Sequence, residues 1–248
     1  MARDIAFLHG GNHGSWCWKP TIDALRAAGY EGAILSLDMP GCGTRRAEPG
    51  DDMTIADVAA LLVADVRAAG LDRPVLIGHS IAGVVLPHMG SQAPDLFSEL
   101  CYLTAAMPRI GQPVSQMMGS GLHGENPEVV GWPLDPAAHA MEDVLRAMFT
   151  PDLGPDLAAW LMEETAQDSH PPCMSHEAVS LSTCPGVPVS YVVTLRDPIL
   201  PPGWQGRFAE RVGASRLFHI DTPHEPMVSH PELLAEFIHT RIAMSGMD

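Results

Sequence analysis

The sequence has little positive charge: 14 Lys and Arg stand against 30 Asp and Glu, a formal net charge of −16. Such a field repels nucleic acid and anionic membrane surfaces, and no basic run offsets it. Its main consequence is solubility. No apolar stretch is long enough to span a bilayer, and the N-terminus, Met-Ala-Arg-Asp, runs straight into a short strand signal rather than the apolar core of a signal peptide. A cytoplasmic location without membrane attachment is therefore expected. The five cysteines, Cys17, Cys42, Cys101, Cys173 and Cys184, contain no C-x-x-C pair, which excludes zinc-knuckle and thioredoxin-type readings. Low-complexity tracts and internal repeats are also missing, and the 23 Gly and 23 Pro are scattered.

What remains is 248 residues, 46% of them hydrophobic, enough for one sizeable core. Strand and helix signals alternate from the start, the pattern of a mostly parallel sheet flanked by helices. Strands are expected at Ile5–Leu8, Ala33–Leu37, Val75–Ile77, Leu100–Ala105, Val187–Leu195 and Arg216–Ile220. Helices are expected from Trp18 to Ala28 and from Gln205 to Val212. Another begins at Thr54, which can cap it with Asp57, and carries Ile55, Val58, Ala59, Leu62 and Val66 on one face before Gly70. A last helix opens at Pro231, with Leu233, Leu234, Phe237, Ile238 and Ile242 as its stripe. From Met107 to Pro185 the sheet signal stops. The organisation predicted is an α/β core at 1–106 and 186–248 carrying an inserted helical cap at 107–185.

Gly78-His79-Ser80-Ile81-Ala82-Gly83 sits between a continuous apolar strand and a helical run. A sharp strand-to-helix turn of this kind exposes its serine above the sheet and requires small residues two positions to either side, here Gly78 and Ala82. Ser80 is the candidate nucleophile, and the Ile81 N–H, at a helix start, is a candidate oxyanion donor. After the first strand comes His9-Gly10-Gly11-Asn12-His13-Gly14, where glycines allow a second donor, Gly11, to approach an acyl oxygen. Neither G-x-x-x-x-G-K-[S/T] nor G-x-G-x-x-G is present in that loop, so no nucleotide cofactor is expected.

A nucleophile of this type needs a base and an orienting acid downstream. Asp197 directly follows the Val187–Leu195 strand signal. The stretch after the fourth strand, Thr104 to Met107, offers no carboxylate, and Asp221 lies only three residues from the histidine it would orient. Of twelve histidines, His224 is the one in the Thr222–Pro226 turn that directly follows the last strand, downstream of Asp197 and before the last helix. Ser80, His224 and Asp197 therefore form the candidate catalytic set. His9, His13 and His79 flank it as shaping residues, with a spacing that does not suit a metal.

The run from His9 to Trp18, Gly78-His79-Ser80, the Asp197–Gln205 segment and His224-Glu225-Pro226-Met227 resemble the plant methylesterase and hydroxynitrile lyase family and its bacterial esterase relatives. The resemblance covers nearly the whole chain and is weakest between Met107 and Pro185. It implies an α/β-hydrolase fold, the Ser-His-Asp set above, oxyanion donors at Gly11 and Ile81, and no cofactor. Lyases of that family carry lysine after the catalytic histidine and threonine on the oxyanion loop. Here those positions are Glu225 and Gly11, so ester hydrolysis is the expected reaction. The partner expected is a small, largely apolar ester (methyl or aryl, with carbamate or amide as relatives); a homodimer is compatible with the chain. Half of the 14 methionines fall between Met107 and Met174, where flexible thioethers would suit a pocket for varied apolar groups. Candidate substrate contacts are Gly10, Trp16, His79 and Met227 beside the motifs, and Met107, Met117, Trp132, Phe149 and Trp160 in or next to the cap.

Overall fold

The computed structural model describes residues 2–243. Its chain order runs β1 (Ile5–Leu8), α1 (Lys19–Ala27), β2 (Ile34–Leu37), α2 (Ile55–Ala69), β3 (Val75–His79), α3 (Leu86–Gln92) and β4 (Glu99–Leu103). There follow α4 (Val114–Met118), α5 (Met141–Phe149), α6 (Pro155–Thr165) and α7 (Pro172–His176), then β5 (Val189–Thr194), α8 (Pro202–Arg211), β6 (Arg216–Ile220), α9 (Pro226–Ser229) and α10 (Pro231–Phe237). Between β4 and β5 the described residues contain only an isolated bridge, Leu122 to Trp132. Among the described residues no helix is long and apolar enough to cross a membrane.

The six strands form one sheet, in the order β2-β1-β3-β4-β5-β6, with every pairing parallel. β1, β3, β4 and β5 are buried along their whole length, as central strands covered on both faces must be. That is why Val75-Leu76-Ile77 reads as an unbroken apolar run. The order reverses direction between β1 and β3, and ligand crevices in such sheets open beyond the carboxyl ends at that point. Register matters here: Leu8 lies opposite Gly78, so the glycine loop after β1 and the serine turn after β3 leave the sheet side by side.

Local chemistry explains the clearest helix. The Thr54 hydroxyl accepts from the Asp57 N–H and the Asp57 carboxylate accepts from the Thr54 N–H, a reciprocal cap at the start of α2. Gly70 ends that helix at φ +68°, a left-handed conformation that glycine adopts without a Cβ penalty. One expected core residue is displaced. Leu233 is 45% exposed, and the buried residues are Leu234 and Ala235 in α10 with Ile238 and Ile242 in the π-helical turn Ile238–Ile242 that continues it.

Candidate active site

Ser80 leaves β3 with φ +55°, a conformation that costs a non-glycine residue on the order of 1–3 kcal/mol and persists only where its surroundings enforce it. They do. The Ser80 carbonyl accepts from the Ala106 N–H at 2.8 Å, tying the turn to the exit of β4. A Cβ on Gly78 would stand 2.5 Å from the Leu86 side chain, and one on Gly83 would stand 2.3 Å from the Ala106 carbonyl. Ala82 is wholly buried yet fits. The backbone approach that admits no side chain thus falls one residue later than the usual motif places it.

The Ser80 hydroxyl lies 3.0 Å from His224 Nε2, and His224 Nδ1 lies 2.7 Å from Asp197 Oδ2. These three residues come from the ends of β3, β6 and β5. Asp197 and His224 are buried, which strengthens the electrostatics between them. Asp197 is surrounded by donors. The Ile199 and Leu200 amides donate to Oδ1 at 2.7 and 2.8 Å, and the Thr104 and Thr194 hydroxyls donate to Oδ2 beside the His224 ring. Burial pushes its carboxyl up, but the charge and hydrogen bond of His224, with the Thr104 hydroxyl and Leu200 amide, hold it below the ordinary carboxylate range. Burial pushes His224 down; the charge and hydrogen bond of Asp197, joined by the charge of Glu225, outweigh it and leave the imidazole above its ordinary value. Asp221 takes no part. Its side chain is 76% exposed and accepts from Arg196 at 2.9 Å.

Above Ser80 opens a cavity of about 470 Å³ whose lining is mostly apolar. Gly11 and Ile81 line it beside Ser80. The glycine loop is braced from below. His9 accepts the Met39 N–H at Nε2 (3.1 Å), so its hydrogen sits on Nδ1, which donates to the Gly10 carbonyl at 2.8 Å. Burial drives His9 down to about 4, so the ring is neutral. A trans peptide sends the Gly11 N–H the opposite way from the Gly10 carbonyl.

Of the cap residues expected to contact substrate, Trp132 and Phe149 line the cavity. Others do not. Met117 turns into the core while its neighbour Met118 faces the cavity, as adjacent positions on a helix must diverge. Met107 is buried beside the core, its carbonyl accepting from Arg211. Trp160 packs edge-on against Trp16, and Trp16 stacks on His13 and donates its indole N–H to Asp168 at 2.6 Å, so both are outside the lining. Met227 is buried, with its carbonyl accepting from Thr21. Gly10 and His79 lie beneath the site: a Cβ on Gly10 would meet His79 and Ser80, and His79 Nε2 donates to the His224 carbonyl at 2.9 Å.

Sequence reasoning missed the polar corner of the cavity. His170 Nδ1 faces the Asn12 N–H at 3.3 Å and Asn12 Oδ1 at 3.1 Å, and its Nε2 is hydrogen-bonded to the Ser175 hydroxyl at 2.9 Å. Burial lowers His170 to about 4. Its signal was the Ser169-His170-Pro171-Pro172 run, where two prolines fix the chain that presents it. Met141, Leu145 and Met148 on one side of α5 were also missed as lining.

His79, His224 and Glu225 bring nitrogen and oxygen atoms within 4.8 Å of one another. Both ring nitrogens of His224 are already committed, to Asp197 and Ser80, and His79 Nε2 is committed to a carbonyl. What is left, one nitrogen and one carboxylate, is a poor metal donor set.

Comparison with known proteins places this geometry among relatives. The "Alpha/beta hydrolase family" matches residues 5–237. A rice protein named "Probable esterase PIR7A" is 35% identical over 111 residues, covering 44% of this chain and 41% of the rice protein. A "Carbendazim hydrolyzing esterase" from a Nocardioides species is 29% identical over 122 residues, 49% of this chain and 50% of that one. The chain thus spans about half the length of these curated relatives or less. Among solved structures, an extracellular alpha/beta-hydrolase from a Paenibacillus species superposes with a TM-score of 0.73 at 18% identity, over 95% of this chain and 97% of that one. At that identity the likeness is one of fold.

Proposed function

The chain belongs to the alpha/beta hydrolase family, and from that premise we propose that it is a serine esterase acting on small, largely apolar carboxylic esters through an acyl-enzyme. Ser80 is the nucleophile, His224 the base and Asp197 the acid that orients it. The supporting observation is the unbroken hydrogen-bond chain from Asp197 through His224 to Ser80 at the floor of an apolar cavity.

In the first half-reaction the Ser80 proton passes to His224 Nε2 as Oγ bonds to the acyl carbon. The charge that develops on the carbonyl oxygen is met by the Gly11 and Ile81 amides, which are preorganised donors. His224 returns its proton to the departing alkoxide, the ester C–O bond breaks, and an acyl-Ser80 ester remains. Water, deprotonated by His224, repeats the sequence and releases the acid. Asp197 holds the ring with its hydrogen on Nδ1 and stabilises the imidazolium between the steps. Residues 107–185 serve as the cap over the acyl and alcohol groups, with Trp132, Phe149 and the α5 side chains as its apolar wall. The names of the rice and Nocardioides relatives support ester cleavage, with methyl, aryl or carbamate esters as the class to examine. Among the described residues no Lys, Arg, Asp or Glu lines the cavity, which favours neutral substrates. The site needs no cofactor in this scheme, and a homodimer remains an expectation.

A lyase reading is disfavoured at Gly11. A Cβ there would lie 3.1 Å from His170 Cε1, so the threonine of the lyases has little room. The test is a fluorophosphonate probe read by intact mass, with p-nitrophenyl acetate hydrolysis alongside. One adduct on the natural protein, and loss of both adduct and turnover in Ser80→Ala, is the expected result. Full turnover in Ser80→Ala overturns the assignment; labelling without turnover of any ester points to a binding protein.

A further inference from the structure

Glu225, next to the catalytic histidine in the chain, is 1% exposed, and neither of its oxygens has a hydrogen-bond partner among the described residues. A bare buried carboxylate is expensive, so its surroundings must supply a counter-charge. Among the described residues Glu225 has no ion pair with a lysine or arginine. The groups facing it are His13 from the loop after β1, at 3.4 Å from Oε2, the rings of His79 and His224, and the Cys17 thiol, which burial keeps neutral. Asp168, which accepts from the Trp16 indole stacked on His13, is already paired with Arg46 at 2.5 Å, and Asp197 is hydrogen-bonded to His224. His79 is neutral, because burial and the neighbouring histidines drive it down.

Hydrogen counting then isolates His13. Its Nδ1 faces the Gly11 carbonyl at 2.8 Å, and a carbonyl only accepts, so Nδ1 carries a hydrogen. A neutral ring would therefore turn the Nε2 lone pair toward the carboxylate lone pairs 3.4 Å away. His13 Nε2 and both Glu225 oxygens have no hydrogen-bond partner among the described residues, so the contact is one of charge, and a proton on Nε2 would supply the counter-charge that the carboxylate lacks.

We propose that His13 and Glu225 form a second buried acid–histidine pair, an imidazolium and a carboxylate, and that the carboxylate counter-charges His224 when it takes the Ser80 proton. Glu225 is then a positioning residue that acts through His224. The same pair reaches the oxyanion loop, since a protonated His13 strengthens its bond to the Gly11 carbonyl. This inference rests on the Ser80–His224 reading above, and the sequence resemblance offers no counterpart, because its lyases carry a cation at this position.

The test is the pH profile of kcat/KM for p-nitrophenyl acetate in the natural protein and in Glu225→Gln, Glu225→Met and Glu225→Asp. An opposite charge at this range shifts a titration by about one pH unit or more. Glu225→Gln and Glu225→Met should move the acid-limb midpoint down by roughly one pH unit and lower plateau kcat about tenfold, leaving KM unchanged. Glu225→Asp, which keeps the charge, should hold the midpoint near its natural position. An unmoved midpoint in a folded Gln or Met variant overturns the proposal. Histidine nitrogen NMR of the natural protein is a second arm that depends on no variant: His13 should carry hydrogens on both nitrogens at pH 7, and a neutral His13 ring overturns the pair. Should the natural protein take no fluorophosphonate adduct, the triad reading fails, and the counter-charging role with it; the NMR arm still decides separately whether the buried pair exists.

Discussion

Replacing Asp197 by asparagine tests the arrangement where it is most constrained. The carboxylate accepts from His224, two hydroxyls and two backbone amides, with the Gln205 amide at 3.3 Å. Asparagine has one accepting oxygen. The Ile199 and Leu200 N–H groups cannot change their role, so that oxygen must stay with them, and the new NH2 must face His224, Thr104 and Thr194. The hydroxyls can rotate to accept. His224 can accommodate the NH2 only by taking it at Nδ1 as an acceptor, which moves its hydrogen to Nε2, the nitrogen that should receive the Ser80 proton. A tautomer inverted in this way costs a serine triad about 10⁴-fold in kcat, and we expect a loss of 10³-fold or more at pH 7 with p-nitrophenyl acetate. Losing charge-assisted hydrogen bonds in a buried site costs roughly 1.5–3 kcal/mol, or a fall of about 3–12 °C in Tm for a chain of this length. Asp221→Asn, on the exposed rival, should stay within about twofold of the natural rate, by the usual indifference of exposed positions. Asp197→Asn within tenfold of the natural rate, or Asp221→Asn losing more than it, refutes the reasoning.

Three further outcomes follow from particular contacts. The acid limb of kcat/KM reports the base in the free enzyme. Since His224 sits above its ordinary 6.5, activity should be lost as pH falls through a midpoint above 6.5, and a midpoint below 6 would contradict the Asp197 contact. Gly11→Thr should lower kcat/KM by about tenfold or more, as expected when an oxyanion donor is disturbed, and should confer no cyanohydrin cleavage. Pairing it with His170→Ala should recover part of the loss, and full activity in Gly11→Thr alone would show that the loop has room to spare. Thr54→Ala removes a helix cap, so Tm should fall by about 2–4 °C for a loss of about 1 kcal/mol, with kcat untouched.

The fold was legible wherever one physical rule governed a segment. The continuous apolar runs became the central strands, since a strand covered on both faces has no polar side to display. The Thr54–Asp57 pair marked the start of α2 because both capping bonds are local in sequence. Glu99 shows where such reading fails. It begins β4 fully buried, a place a sequence reading gives to an apolar residue, and is held there by Arg3, Arg216 and Ser190, which lie 96, 117 and 91 residues away. Leu233 fails in the opposite direction, because helical phase alone could not say how wide the covered stripe would be.

The site divides along the same line. Ser80, Asp197 and His224 were singled out because each sits at a sheet-to-helix turn whose position the strand pattern fixes, and the sheet order then brings those turns to one edge. Nothing comparable fixes the segment between β4 and β5. Its helices are short and joined by turns, so whether Met117 or Met118 faces the cavity depends on a rotation of about 100° that no local signal sets. The polar groups were hidden for a further reason. His170 matters through the Asn12 amide, 158 residues earlier, and His13 through Glu225, far later in the chain. A histidine's role is decided by which of its nitrogens must hold a hydrogen, and that follows only from the groups the fold sets against each one. Sequence could single out Ser80, His224 and Asp197 as candidates; the hydrogen bonds that join them are a property of the packed molecule.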